Sequence, residues 1–231
     1  MQRNSFFNSF VNETGLYMLY GREKMGKTIL AMNMIDKSID EDSGFLYMYS
    51  KPIDNALTKS FDSSYIKMID MEDVKENPIE LLFLEAKMMK EDHNLSLVII
   101  DDFDELLRYT GFRHIEPKRK ERIAYLLVSL KCLAQLMDIP VVIISDAEKY
   151  LDSKKDKHPN ISDMKDKKII KEFVDKLILM YVDSFYDPNT ELKGLAEFSL
   201  CDLKSGEVKN HRLAYISESM KYCELDRHPN V

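Results

Sequence analysis

The sequence predicts an α/β fold, a largely parallel sheet covered by helices on both faces and completed by an antiparallel hairpin near the C-terminus. Three observations carry that expectation. Apolar runs of strand length recur at residues 15–20, 96–102 and 140–145. Segments with helical periodicity lie between them, and the octapeptide GREKMGKT (residues 21–28) fits G-x-x-x-x-G-K-[ST] at a junction of strand and helix.

In order, GLYMLY (15–20) is an apolar run that meets Gly21, as a buried strand entering a tight turn would. From Thr28 onward, Ile29, Met32, Ile35 and Ile39 keep helical spacing. FLYMYS (45–50) reads as a second strand, stopped by Lys51-Pro52. Residues 78–91 are amphipathic and helical, with Leu81, Leu82, Leu84 and Met88. SLVIIDD (96–102) is a continuous apolar strand ending in acids. Residues 119–137 place Ile123, Leu126, Leu127, Leu130, Leu133 and Met137 on one helical face, and PVVIIS (140–145) is another buried strand. Residues 146–171 are polar and Lys-rich, a loop with one short helix, and KLILMYV (176–182) returns to strand. Residues 197–202 and 208–216 flank KSGE as a hairpin. Strands alternating with helices imply parallel pairing buried on both faces.

At 231 residues the chain is one ample domain, and nothing in it reads as a linker. We expect a main domain over 15–217, a short segment over 1–14 and a tail over 218–231. Apolar residues at 45% and charged residues at 32% describe a soluble globular chain. No apolar run reaches the roughly 18 residues that span a bilayer, and MQRNSFFNSF lacks the apolar centre of a signal peptide. No membrane partner is expected, and a cytoplasmic location is. Cys132, Cys201 and Cys223 are odd in number and lack C-x-x-C spacing, which argues against a disulfide framework or a zinc site. A formal charge of −7 argues against a surface that coats DNA, while leaving room for a local basic loop.

In the octapeptide pattern, backbone N–H groups wrap phosphates, helped by the positive end of the following helix. Lys27 reaches the outer phosphates as a point charge and Thr28 ligates Mg²⁺. Gly21 and Gly26 permit the loop conformation and the close approach of phosphate. The expected ligands are therefore ATP and Mg²⁺. Such a loop needs an acid near the metal, at the end of a neighbouring buried strand. Asp101, closing LVIID, takes that place and holds the metal's water shell. The competing reading is that Asp101 and Asp102 cap a helix beginning DFDELLR, a role sufficient for Asp102.

The order and wording of the later segments narrow the family. GLYMLYGREKMGKTILAMNM resembles the start of the RecA-like motor domain of DnaB-type replicative helicases, with Arg22 and Met25 inside the phosphate loop. SLKCLAQLMDIPVVIIS resembles that family's helix and strand leading to a polar sensor. DKHPNISDMKD resembles its loop before S-D-L-R, and DSFYDPNTELKGLAEFSLCDLKSGEV resembles its tyrosine segment, K-G-x-A-E strand and arginine-finger hairpin. The resemblance runs from about residue 15 to 216. It implies a RecA-like fold, nucleotide contacts from Gly21, Arg22, Gly26, Lys27 and Thr28, assembly with copies of itself or a replication protein, and single-stranded DNA along residues 149–171.

Departures from the family pattern fall on hydrolysis. Where the family strand ends S-L-E-M, with the Glu as general base, this chain has Ser50-Lys51-Pro52-Ile53. The sensor Gln is Asp146, and the hairpin K-x-R-x-G is Asp202-Leu203-Lys204-Ser205-Gly206. Lys204 keeps the charge of the finger arginine without its planar fork. The resemblance also implies an N-terminal collar that is not seen in this sequence. Asp102, Asp104 and Glu105 are candidates for a relocated base.

Other features leave alternatives open. Lys149, Lys154, Lys155, Lys157, Lys165, Lys167, Lys168 and Lys171 suit a DNA backbone, but interleaved Glu148, Asp152, Asp156, Asp163 and Asp166 equally suit a solvated loop. Arg108, Arg113 and Lys118-Arg119-Lys120 read first as a solvated helix entry. Phe6, Phe7, Phe10 and Val11 form a stripe that docks either on a neighbouring subunit or on the chain's own body. The leading expectation is a DnaB-like ATP-binding protein of DNA replication, from a mobile or phage-like genome, with slow hydrolysis. The alternative is a non-catalytic ATP-dependent adapter that recruits a partner; a small-molecule kinase is weaker, since no substrate lid is evident.

Overall fold

The computed structural model describes residues 6–7, 13–38, 43–53, 65–74, 77–110 and 118–225. Phe10, Val11, Ile39 and Arg113 lie outside these described residues. A nine-stranded sheet runs through the molecule in the order β3-β2-β4-β5-β1-β6-β7-β8-β9. Its first six strands are β1 (Gly15–Gly21), β2 (Gly44–Tyr49), β3 (Ile66–Asp70), β4 (Leu95–Asp101), β5 (Pro140–Asp146) and β6 (Lys176–Tyr181), all paired in parallel. Then β7 (Leu195–Asp202), β8 (Val208–Ile216) and β9 (Lys221–Glu224) continue it antiparallel. This is a mixed α/β architecture with a mostly parallel centre, as the alternation of apolar runs and amphipathic segments predicts.

Strand alternation divides β1 between two cores. Leu16, Met18 and Tyr20 face one apolar cluster, while Tyr17 and Leu19 face another. The first cluster is covered by α2 (Pro78–His93) through Leu82, Ala86 and Met89, and by α4 (Arg119–Met137) through Leu126, Leu130 and Leu133. Short α3 (Phe103–Tyr109) and α5 (Lys167–Phe173) add Phe103, Leu106 and Ile170 to it. The second cluster is covered by α1 (Lys27–Ser38) through Leu30, Met34 and Ile35. Each such buried side chain contributes about 1.5–3 kcal/mol relative to exposure.

Two strands escape the sequence reading. β3 is a five-residue edge strand with Lys67 exposed, too short and polar to show a period. β9 lies in the expected tail over 218–231; Tyr222 anchors it in the second core at 3% exposure. Phe6 and Phe7 are also buried in the chain's own body, the Phe6 ring 4.9 Å from that of Phe198. Residues 146–171 carry turns at Lys149–Ser153 and Ile161–Asp163 before α5. A further short helix, α6 (Asp183–Tyr186), follows β6. Among the described residues no helix is long and apolar enough to cross a membrane.

Candidate active site

The turn after β1 runs directly into α1, so the phosphate motif sits at the carboxyl end of a central strand. Gly26 has φ +94°, a conformation that disfavours any side chain, and its Leu30 N–H bond opens the helix. A Cβ on Gly26 would also stand 2.5 Å from the Tyr222 hydroxyl. At Gly21 a Cβ would press to 2.9 Å on the Met180 carbonyl. Both glycines are needed for space. The first N–H groups of α1 have no partner within the helix, and no acid occupies its first turn, a combination that favours an anion there.

Lys27 is 5% exposed, and its amine donates to the carbonyls of Gly21 at 2.9 Å and Arg22 at 2.8 Å. Thr28 donates its hydroxyl to Asp101 Oδ2 at 2.6 Å. The structure therefore brings together Gly21, Gly26, Lys27, Thr28 and Asp101, from β1, α1 and the end of β4. A hydroxyl and a carboxylate in contact, beside a cationic amine and a helix N-terminus, form a donor set that fits Mg²⁺ with a polyphosphate. Tyr47, which sequence reasoning did not single out, donates to the same Asp101 oxygen at 3.0 Å. Burial, then the adjacent Asp101 charge, pushes its phenol pKa well up, so the hydroxyl stays protonated and able to donate to Asp101. A tyrosine in the middle of a fully buried strand requires a hydroxyl partner, and that was the available signal.

Arg22 is held by partners within the chain. Its guanidinium grips Asp152 through Nε and Nη2, both at 2.9 Å, and the Ala147 carbonyl through Nη1 at 2.8 Å. The fork matches a carboxylate in bidentate fashion, so it ties the phosphate loop to the turn after β5.

The candidate bases fare unequally. Asp102 caps α3 by accepting from the N–H groups of Asp104 at 2.7 Å and Glu105 at 3.3 Å. Burial raises its pKa, the Asp104 N–H opposes this, and the charge of Asp146 adds to it. Asp104 is paired with Arg119 at 3.3 Å and Glu105 with Arg108 at 2.6 Å. Lys51 stands exposed at the end of β2, 3.8 Å from Asp102 and 3.9 Å from both Asp146 and Glu23.

Lys204 does not join this group. It lies in the β7–β8 turn, at the far end of the sheet, with its amine 2.7 Å from Asp175. Asp175 also receives Lys131 at 3.1 Å and the Leu16 N–H at 3.0 Å. Burial pushes the Asp175 pKa up, but those donors prevail and hold it below the ordinary carboxylate value. In the Lys-rich segment, Lys154 is held by Asp163 at 2.9 Å, Lys165 pairs with Glu148, and Lys157 lies 5.1 Å over the Tyr186 ring.

Known proteins supply an independent comparison. Residues 49–224 match the DnaB-like helicase C terminal domain family, a span that begins after the phosphate loop and includes Asp101, Asp146 and Lys204. The replicative DNA helicase DnaB of Geobacillus stearothermophilus is 25% identical over 191 residues, covering 83% of this chain and 39% of that protein. That of Pasteurella multocida is 30% identical over 148 residues, covering 64% of this chain and 31% of the other. The chain thus spans well under half the length of these relatives. Among solved structures, a DnaB-like replicative helicase described with its interactions with primase superposes with TM-score 0.77 at 17% identity, over 94% of this chain and 58% of that one. The RadB recombinase superposes with TM-score 0.65 at 14% identity, over 94% and 93%. At such identities the structural likeness concerns the fold, which is RecA-like.

Proposed function

The chain belongs to the DnaB-like helicase C-terminal domain family, and from that premise we propose that it binds Mg·ATP at the loop after β1 and works in DNA replication with slow hydrolysis. The observation that carries the proposal is the 2.6 Å bond from Thr28 to Asp101 beside the buried Lys27 amine. Lys27 would hold the outer phosphates, Thr28 the metal, and Asp101 the metal's water shell. Bound Mg²⁺ supplies neutralisation of charge on the phosphate oxygens.

Hydrolysis needs two further things, an oriented water and a cation on the breaking bond. Pro52 occupies the position of the family's base, and a proline side chain can neither accept a proton nor orient a water. Lys204 stands at the hairpin position of the family's finger, at the opposite end of the strands from the phosphate loop, so it would serve a neighbouring copy. We accordingly assign a self-assembling unit whose partners are further copies, single-stranded DNA along residues 149–171, and a replication protein, working in the cytoplasm. The primase named with one structural neighbour is the first such protein to try. The same two replacements support a second reading, in which bound ATP stabilises an assembly that recruits a partner without being turned over.

Single-turnover ATP hydrolysis by the purified chain, with and without single-stranded DNA, tests the proposal, alongside native mass measured with ATP. Binding without brisk turnover is the expected result. Turnover at the rate of a working helicase would sink the slow-hydrolysis assignment. Acceleration by DNA would favour a motor, and nucleotide-dependent assembly without it would favour the adapter.

A further inference from the structure

Asp146 ends β5, in register with Gly21 of β1, so its side chain emerges at the mouth of the phosphate loop. Its Oδ1 lies 2.6 Å from the Lys27 amine, closer than either loop carbonyl. Its Oδ2 faces Lys51 at 3.9 Å, and its side chain keeps 32% of its exposure. Lys27 therefore already has an anionic partner, supplied by the protein, at the amine assigned to the outer phosphates. Two lysines, Lys27 and Lys51, bracket one carboxylate. Lys51 also lies 3.8 Å from Asp102 and 3.9 Å from Glu23.

We propose that Asp146 is a built-in competitor for the terminal phosphate, and that it sets both how tightly the loop binds nucleotide and how well it separates triphosphate from diphosphate. This rests on the assignment of the loop as an ATP site. A ligand must recruit the Lys27 amine from Asp146, and the carboxylate then remains beside the incoming phosphate charge. The repulsion is greatest for the outermost phosphate, which a triphosphate has and a diphosphate lacks. Lys51 moderates it by offering the released carboxylate a second cation. Asp146 is a specificity-determining residue in this arrangement and takes no part in bond breaking. Lys51, standing next to the position of the missing base, acquires a role of its own as the acceptor of the displaced carboxylate.

The test is titration of Mg·ATP and Mg·ADP into the full chain and its Asp146→Asn, Asp146→Gln and Lys51→Ala variants, with circular dichroism melts to confirm folding. Removing the competing charge should tighten ATP binding by about tenfold, and ADP by clearly less. Lys51→Ala should loosen ATP more than ADP. A role in merely holding the loop's shape would instead weaken both nucleotides in the Asp146 variants. Unchanged or weaker ATP binding in Asp146→Asn and Asp146→Gln, or equal tightening of both nucleotides, overturns the proposal while leaving the ATP site standing. Turnover abolished at unaltered ATP affinity would make Asp146 a base and overturn it too. If neither the natural chain nor any variant binds either nucleotide, the ATP assignment itself fails, and this proposal with it. The Gln variant reads the same quantity should the Asn variant not fold.

Discussion

At the carboxyl ends of β1, β4 and β5 the chain gathers Lys27, Thr28, Asp101 and Asp146, whereas at the amino ends of β1 and β6 it gathers Asp175, Lys131 and Lys204. Both ends centre on a carboxylate bridging two lysines, Asp146 between Lys27 and Lys51 and Asp175 between Lys131 and Lys204. They differ in what surrounds the bridge. Around Lys27 stand a left-handed glycine, a helix N-terminus whose first N–H groups have no partner within the helix, and a Thr–Asp pair, all of which suit a ligand. Around Asp175 the donors are already paired with it, including the Leu16 N–H, so that end is a structural clasp. The difference separates holding a nucleotide, which the first end is proposed to do within one chain, from breaking it, for which the proposed finger Lys204 stands at the opposite end of the strands and would have to act on a neighbouring copy.

The largest effect expected concerns that separation. Loss of an arginine finger costs about 10³–10⁵ in turnover in related phosphate-loop enzymes, and the proposed replacement of the base by Pro52 would add to it. Single-turnover rates should therefore be low in the natural chain and should not fall further in Asp102→Asn, Asp104→Asn or Glu105→Gln. The structure gives reasons: Asp102 is a helix cap, and the other two are paired with arginines. Brisk turnover lost in any one of the three variants would reveal a relocated base and break the comparison.

Next in size is the loop itself. Lys27→Ala should weaken Mg·ATP by about a hundredfold, roughly 3 kcal/mol, because a buried cation serving phosphate is removed. The check is thermal: excess ATP should raise the Tm of the natural chain by linkage and that of the variant far less. Equal shifts in both would remove the loop from nucleotide binding. Lys204→Ala, at the other end, should leave ATP affinity of the single chain unaltered and show itself only in assembled material.

What could be seen beforehand follows from the range of each interaction. The loop was legible because its chemistry is contiguous, with residues 21–28 carrying their own signature between a strand and a helix. Asp101 was legible because a buried apolar strand ending in acid is a local pattern. The bond from Tyr47 to Asp101 joins positions 54 apart in sequence, and that from the Tyr222 N–H to Asn33 joins positions 189 apart, so neither leaves a local trace. β3 and β9 were missed for a related reason. With five and four residues, each is defined by its neighbour in the sheet rather than by its own period. Arg22 was assigned to ligand by resemblance, and its partner Asp152 is a surface acid in the most mixed-charge stretch of the chain.

Tyr222 sharpens the comparison from below the loop. It is 3% exposed, its N–H reaches Asn33 on α1 at 2.6 Å, and its hydroxyl lies 3.4 Å from the Met25 carbonyl. β9 thus supports the phosphate loop from inside the second core. Tyr222→Ala should cost about 3–5 kcal/mol of stability, the range for emptying a buried aromatic site. Tyr222→Phe should cost less than about 1 kcal/mol, since only a long hydrogen bond is lost. Urea denaturation of both variants measures the difference, and a Phe variant as unstable as the Ala variant would show that the hydroxyl, and not the ring, supports the loop.

The smallest effect lies in the segment between the two ends. His158 stacks on Tyr181 with ring centroids 3.8 Å apart, and its nitrogens face Asp156 at 2.7 Å and Glu197 at 2.9 Å. Partial burial lowers its pKa, but the hydrogen bonds to Glu197 and Asp156 and their charges outweigh this and raise it above 6.5. A group whose pKa is higher folded than unfolded stabilises the fold fully below the unfolded value, and that contribution disappears as pH rises through the folded value. The His158 contact should therefore be at full strength below about pH 6.5 and fade above it. Asp156 and Glu197, both held below their ordinary values, stay ionised through this window and cannot produce the same profile. The measurement is the Tm of the natural chain minus that of His158→Gln between pH 5 and 9, chosen because glutamine keeps a hydrogen-bonding side chain without the titration. The difference should shrink as pH rises, by no more than the modest worth of a half-exposed ion pair. A difference that is flat, or that grows with pH, would mean that the ring acts by stacking on Tyr181 alone and that no charge pins the Lys-rich segment to β7.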